Sequence, residues 1–144
     1  MLKGIDPVLS PDLLHALASM GHGDTLVIAD ANFPAATLAR RLCHAHGLSA
    51  LRVLKAVLSV MPLDTFVSQP VAVMQVVGEP LAVSEPVTEF QTLVDEVQGR
   101  AEKFEFVERH AFYDRARSAF AIVITGESRP YGNIILAKGG IRAS

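Results

Sequence analysis

Apolar runs without polar alternation mark the chain at Thr25–Ala29 and again at residues 71–77 and 119–125. Such runs are short and β-branched, the pattern of strands buried on both faces. Residues 104–107 and 133–138 predict two more strands. Between them the spacing turns helical. Ser10-Pro11-Asp12 supplies an N-cap serine, a proline at the first helical position and an acid in the first turn. Leu13, Leu14, Leu17 and Met20 then keep the period, with Gly21 suited to a left-handed stop. Pro34 predicts a helix over 34–46 with Gly47 as its stop. Leu51, Leu54, Lys55 and Leu58 favour helix over 51–61. Ser84-Glu85-Pro86 opens a helix to about Gln98, with Phe90, Leu93, Val94 and Val97 on one face, and 111–118 predicts a short one. Strands alternating with helices predict an α/β layered domain whose central sheet is mostly parallel and flanked by helices. No linker, repeat or low-complexity segment divides it, so residues 1–144 read as one domain.

Composition sharpens this picture. Half of the 144 residues are hydrophobic and only 19% charged, with a mean hydropathy of +0.33. No stretch reaches the roughly 18 apolar residues of a membrane span. The apolar surplus is therefore assigned to a subunit interface, and a homo-oligomer is expected. A net charge of −2 without a basic stripe leaves no electrostatic footprint for nucleic acid. The single cysteine, Cys43, fits a reducing compartment. Met1 to Pro7 lacks the apolar segment of a secretory leader, and a cytoplasmic location is expected.

Candidate chemistry gathers in two glycine-flanked polar islands. Met20-Gly21-His22-Gly23-Asp24 leads into the first strand, which Asp30 closes; Tyr131-Gly132-Asn133 precedes the last. Gly21-His22-Gly23 follows a helix and precedes a strand, the reverse of a dinucleotide fingerprint, so nucleotide binding is rejected. Asp30 stands at the carboxyl end of a strand, the side on which open α/β sheets collect ligands. His44 and His46, two apart on an expected helix, would face different ways and could not chelate. His15, His22 and His110 have no ligand spacing, and no metal site is expected. No serine occupies a Gly-x-Ser-x-Gly elbow, and Cys43 has no evident activating base.

Several ordered segments together resemble a known family, that of L-fucose mutarotase and D-ribose pyranase. They are Leu2-Lys3-Gly4-Ile5, Met20 to Asp24, Asp30-Ala31-Asn32-Phe33-Pro34-Ala35, Ala111-Phe112-Tyr113-Asp114-Arg115-Ala116, residues 120–127 and Tyr131-Gly132-Asn133-Ile134-Ile135-Leu136. The resemblance implies a cofactor-free enzyme interconverting sugar anomers. It also implies a ring-like oligomer, typically a decamer, whose pocket is lined by adjacent subunits. It makes His22 the proton donor, and Asp30, Arg109 and the Tyr131-Gly132-Asn133 segment the sugar contacts. Arginine at 109 matches the fucose-type branch, where ribose-type members carry histidine. Asn32 departs from that branch, which often has histidine there.

Anomer exchange requires opening the sugar ring: one group protonates the ring oxygen while another takes the proton of the anomeric hydroxyl. Histidine, with an ordinary pKa near 6.5, both gives and takes protons around neutrality. Tyr131 can donate or relay a hydrogen bond, and Arg109 can only donate. Asp30 orients the imidazole or holds a sugar hydroxyl; both roles stay open. The expected function is L-fucose anomer exchange catalysed by His22, Asp30 and Tyr131. The alternatives are a D-ribose pyranase and a non-catalytic sugar-binding or transport accessory protein.

Overall fold

Serine caps set three of the helices. In the computed structural model, which describes residues 1–143, Ser10 Oγ accepts from Leu13 N at 3.2 Å and starts α1 (Pro11–Ser19). Strand β1 (Thr25–Ala29) follows, then α2 (Ala35–Leu38) and β2 (Leu42–Ala45). Ser49 caps α3 (Ala50–Leu58) through Arg52 N at 3.1 Å. Beyond β3 (Val71–Met74), Ser84 caps α4 (Glu85–Gln98). The chain ends with β4 (Glu105–Val107), α5 (Arg109–Ser118), β5 (Ala121–Thr125) and β6 (Ile134–Ala137). A serine oxygen occupying an otherwise orphaned backbone N–H is what makes these starts definite.

The six strands form one sheet in the order β2-β5-β1-β6-β3-β4. The pairs β2/β5, β5/β1 and β3/β4 are parallel, whereas β6 runs antiparallel to both β1 and β3. The sheet is thus mostly parallel, with one reversed strand near its centre. That reversal brings the start of β6 to the same edge as the end of β1, with Ile28 opposite Ile134. Leu26 and Ile28 pack on the face covered by α1, α3 and α4, while Val27 and Ala29 pack on the face covered by α2 and α5. Both faces being dry explains why β1 shows no polar alternation. No helix among the described residues is long and apolar enough to cross a membrane.

Several local expectations are corrected. The segment 34–46 is not one helix: α2 stops at Leu38, Ala39 is extended, and residues 42–45 become the edge strand β2. The outer edge of β5 needs partners, and Ile122 N donates to Arg41 O at 2.9 Å, so sheet pairing overrides the local helical reading. Gly47 accordingly lies in the turn after β2 rather than at a helix end. His44 lies on β2 and His46 in the turn just after it, and the two meet instead of diverging, Nδ1 of the former 3.0 Å from Nε2 of the latter. Gly21 is not the left-handed stop of α1; Met20 closes that helix in extended conformation, and Gly23 has the positive φ of 87°. Finally, β3 ends at Met74. Gln75 N still donates to Val107 O, but Val76 then turns back to bridge Glu79.

Phe90 is fully buried where α4 meets the sheet. Phe90→Ala is expected to destabilise the fold by about 3–5 kcal/mol, seen as a lower urea midpoint with an unchanged slope.

Candidate functional site

At the carboxyl edge of the sheet, Asp30 immediately follows β1 and is only 6% exposed. Its backbone N–H donates to Asn133 Oδ1 at 2.8 Å, and Asn133 Nδ2 donates back to Asp30 Oδ2 at 3.0 Å. The second carboxylate oxygen accepts from Asn32 N at 3.0 Å. Burial pushes the Asp30 carboxyl above its usual range, against the opposing pull of these hydrogen bonds. The carboxyl is fixed in direction by these bonds.

The loop after β5 carries Tyr131, Gly132 and Asn133 to the same place. Thr125 Oγ1 donates to Ala29 O at 2.7 Å and accepts from Glu127 N, and Ala31 N donates to Glu127 O at 2.8 Å. Arg129 clamps the loop to α4, with Nη1 and Nη2 on the two oxygens of Glu89 at 2.8 and 2.9 Å and Nη2 and Nε on those of Glu127. These carboxylates hold the guanidinium pKa above its ordinary value. Inside this clamp Tyr131 adopts φ 61°, a left-handed conformation that costs a non-glycine residue energy. Gly132 is required by close approach: a Cβ there would lie 2.7 Å from Glu127 Cγ. Tyr131 Oη accepts from Val77 N at 3.0 Å, leaving its own proton for a ligand.

Arg109, the first residue of α5, leans over Tyr113, its Nε donating to Tyr113 Oη at 3.3 Å. Tyr113 stands edge-on to Phe33, ring centroids 5.5 Å apart. Asp30, Arg109, Tyr131 and Asn133 thus converge on an open cavity of ≈ 260 Å³ with an apolar wall of Phe33, Met74 and Val77. That is below the roughly 300–1,000 Å³ of drug-sized sites and suits one small polar ring. A larger groove of ≈ 760 Å³ between α3 and α4 takes no part in this cluster.

His22 is not in this cavity. It precedes β1 while Asp30 follows it, so roughly 17 Å of strand lies between them. The expectation that the two glycine-flanked islands meet does not hold within one protomer. Instead His22 Nε2 lies 2.9 Å from Asp64 Oδ1, and its ring tilts on Phe66 with centroids 5.0 Å apart. Asp64 is buried, accepts from Phe66 N as well, and is held below the usual carboxylate range chiefly by the His22 hydrogen bond. A carboxylate on one ring nitrogen fixes the imidazole and leaves Nδ1 for proton exchange. The partners Asp64, Phe66, Val77 and Arg129 had no signal in the spacing; each contacts its site residue across the tertiary fold or a turn. Among the described residues, no three His, Cys, Asp or Glu side chains converge as a metal site.

The fold and the pocket define a small α/β protein with a compact, partly polar cavity at the carboxyl edge of its sheet. Residues 3–141 match the model of the RbsD / FucU transport protein family, and the chain belongs to that family. It is 48% identical over 142 residues to the L-fucose mutarotase of Glaesserella parasuis serovar 5, covering 96% of this chain and 95% of that protein. The fucose mutarotase of Streptococcus pneumoniae, solved in complex with L-fucose, superposes with a TM-score of 0.92 at 37% identity, covering 98% of this chain and all of that one. The Bacillus subtilis RbsD structure with D-ribose is more distant, with a TM-score of 0.71 and 21% identity over 99% of this chain and 100% of that one, and shares the fold.

Asp64 has a lowered folded pKa, so its contribution to stability is present above the unfolded value near 3.9 and is lost as pH falls below it. Asp64→Asn is therefore expected to lower the urea midpoint at pH 7. The gap from the wild type should narrow toward pH 3; a gap independent of pH would refute the reading of Asp64 as a carboxylate held by hydrogen bonds.

Proposed function

We propose that this chain is an L-fucose mutarotase, interconverting the α and β anomers by acid–base ring opening and closure. The observation that carries this reading is the convergence of Asp30, Arg109, Tyr131 and Asn133 on one small cavity with an apolar wall, in a chain whose full-length relatives include L-fucose mutarotases. A 6-deoxy sugar presents hydroxyls on several sides and one methyl group; the polar cluster suits the former and Phe33, Met74 and Val77 the latter. D-ribose has no such methyl, and the ribose-bound relative is near only in fold.

The division of labour follows from the atoms available. Tyr131 Oη, with its acceptor role taken by Val77 N, donates to a sugar oxygen. Asp30, fixed by Asn32 and Asn133, receives a sugar hydroxyl or its proton. Arg109 and the backbone at Gly132 hold the remaining oxygens. His22 donates the proton to the ring oxygen as the ring opens and recovers it on closure, with Asp64 orienting it. Only protons move, so the reaction calls for no cofactor.

Because His22 lies at the far edge of the protomer, the working site joins His22 of one copy to the Asp30–Tyr131 pocket of the next. Exposed apolar side chains support that reading. Phe66, 71% exposed, flanks His22, and Val77, 58% exposed, flanks Tyr131. Each half-site thus carries an unusually bare hydrophobic neighbour, as surfaces awaiting a partner do. A closed homo-oligomeric ring, a decamer, satisfies this head-to-tail contact, and its cytoplasmic setting accords with the unpaired Cys43.

Saturation-transfer NMR between the anomeric protons of L-fucose checks the activity. The wild type should exchange them well above buffer. His22→Gln and Tyr131→Phe should each slow exchange by about 10²–10⁴. Calorimetric binding of L-fucose with exchange at the buffer rate would instead establish a non-catalytic sugar-binding protein, and faster exchange of D-ribose a pyranase. Co-assembly of His22→Gln with Tyr131→Phe chains should restore about a quarter of the wild-type sites if each site spans two copies. Co-assembled variants that stay at the floor would place the whole site within one chain.

A further inference from the structure

His22 and Asp64 come from segments 42 residues apart, and one short stretch, residues 137–139, joins them. On one side Lys138 N donates to Asp24 O at 2.9 Å, and Lys138 O accepts from Gly23 N at 2.8 Å. On the other, Asp64 N donates to Ala137 O at 2.9 Å and Gly139 N to Pro62 O at 2.8 Å. Leu63 bridges Lys138 in antiparallel fashion. A Cβ on Gly139 would collide with Leu63 O, so glycine is required for this approach. The turn bearing His22 and the loop bearing Asp64 are thus splinted to the same three residues.

The side chain of Lys138 adds what backbone pairing cannot. Helix α1 has no basic residue in its last turn, and the carbonyls at a helix end lack intrahelical donors. Lys138 Nζ donates to Leu17 O at 2.7 Å and to Met20 O at 2.6 Å. An ammonium there satisfies both oxygens and opposes the negative end of the helix. Met20 leads directly into the turn of residues 21–24, where Gly21 N donates to Asp24 Oδ2 at 2.8 Å and Asp24 N to Gly21 O at 3.1 Å. His22 sits inside that turn. The ammonium therefore fixes the turn at its entry, while the Lys138 backbone fixes it at its exit. Lys138 and His22 also line one cavity of ≈ 480 Å³ walled by Leu14, Leu17, Val60 and Met61. In such surroundings a carbonyl that loses its donor finds little to replace it.

We propose that Lys138 is a positioning residue for the proton transfer. Its ammonium holds the end of α1 to the stretch that carries Asp64, and so sets the His22 imidazole against that carboxylate. Lys138 does not line the cavity around Asp30 and Tyr131. Its part in the reaction rests on the mutarotase reading above; its placing of the imidazole does not.

Lys138→Met keeps the aliphatic stem and every backbone bond of the splint while removing the ammonium. Two measurements on the folded full chain test it: saturation-transfer rates over a range of L-fucose concentrations, and ¹⁵N NMR of the His22 ring, identified by its loss in His22→Gln. The variant should lower kcat by about 10-fold or more, as a displaced catalytic group does, with KM near the wild-type value. The His22 ring nitrogens should shift from one fixed tautomer toward an averaged pair. Lys138→Arg, which keeps a cation for the carbonyls, should recover most of both signals, and Lys103→Met, which removes an exposed ammonium, should match the wild type. If Lys138→Met does not fold, Lys138→Gln, with an amide donor in place of the ammonium, is read for the same split. An unchanged His22 ring signal overturns the proposal whatever the rate. A shifted ring with wild-type kcat, or a raised KM in place of a lowered kcat, overturns the role in proton transfer. Should the wild type itself exchange no sugar, the mutarotase reading fails, and the ring signal alone decides whether Lys138 places His22.

Discussion

The paired hydrogen bonds between Asp30 and Asn133 join the end of β1 to the beginning of β6, and the pocket depends on them. They bridge 103 positions of sequence and are buried at both ends. Each satisfies a polar group that would otherwise be stranded at the rim of a hydrophobic sheet, where an unmade bond costs more than a made one gains. They also fix the Asp30 carboxyl with one edge turned toward the cavity. The antiparallel run of β6 makes the pairing possible, because only a reversed strand can begin where β1 ends.

Around that pair the loop from Gly126 to Asn133 is held from three sides. Thr125 and Ala31 tie its beginning to β1, Arg129 clamps its middle between Glu89 and Glu127, and Val77 N holds the phenol of Tyr131. The energy stored in the left-handed Tyr131 is offset by this over-determination. Each charge in the clamp has an opposite neighbour, and no buried side-chain nitrogen or oxygen among the described residues lacks a hydrogen-bond partner. The result is a rigid polar rim beside an apolar wall, the arrangement that orients a small ligand by its hydroxyls.

The second polar centre obeys the same rule at the opposite end of the sheet. Asp64 is buried, yet His22 and Phe66 N satisfy it, and the imidazole remains about half exposed with an aromatic ring against it. One centre holds a fixed carboxylate, amide and phenol around a cavity, the other an imidazole on a buried carboxylate. Distance within the protomer separates them, and each has an exposed apolar neighbour, Phe66 and Val77, the feature on which the proposal of a site shared between two copies rests.

The sequence by itself determined the helix starts, the doubly buried strands and which polar residues stand at the strand ends. Ser10-Pro11 and Ser84-Glu85-Pro86 carry their caps locally, β1 and β5 declare their burial by composition, and Asp30 and Tyr131-Gly132-Asn133 sit where strand ends and glycine place them. Tertiary structure alone decided the rest. Residues 42–45 became a strand because β5 had an open edge, and that change turned His44 and His46 from divergent positions into neighbours. Asp64 found His22 across 42 residues, and Arg129 found Glu89 across 40. Local signals report the torsional preference and burial of a residue; which carboxylate meets which cation is settled by how the strands are ordered, and no spacing along the chain encodes that order directly.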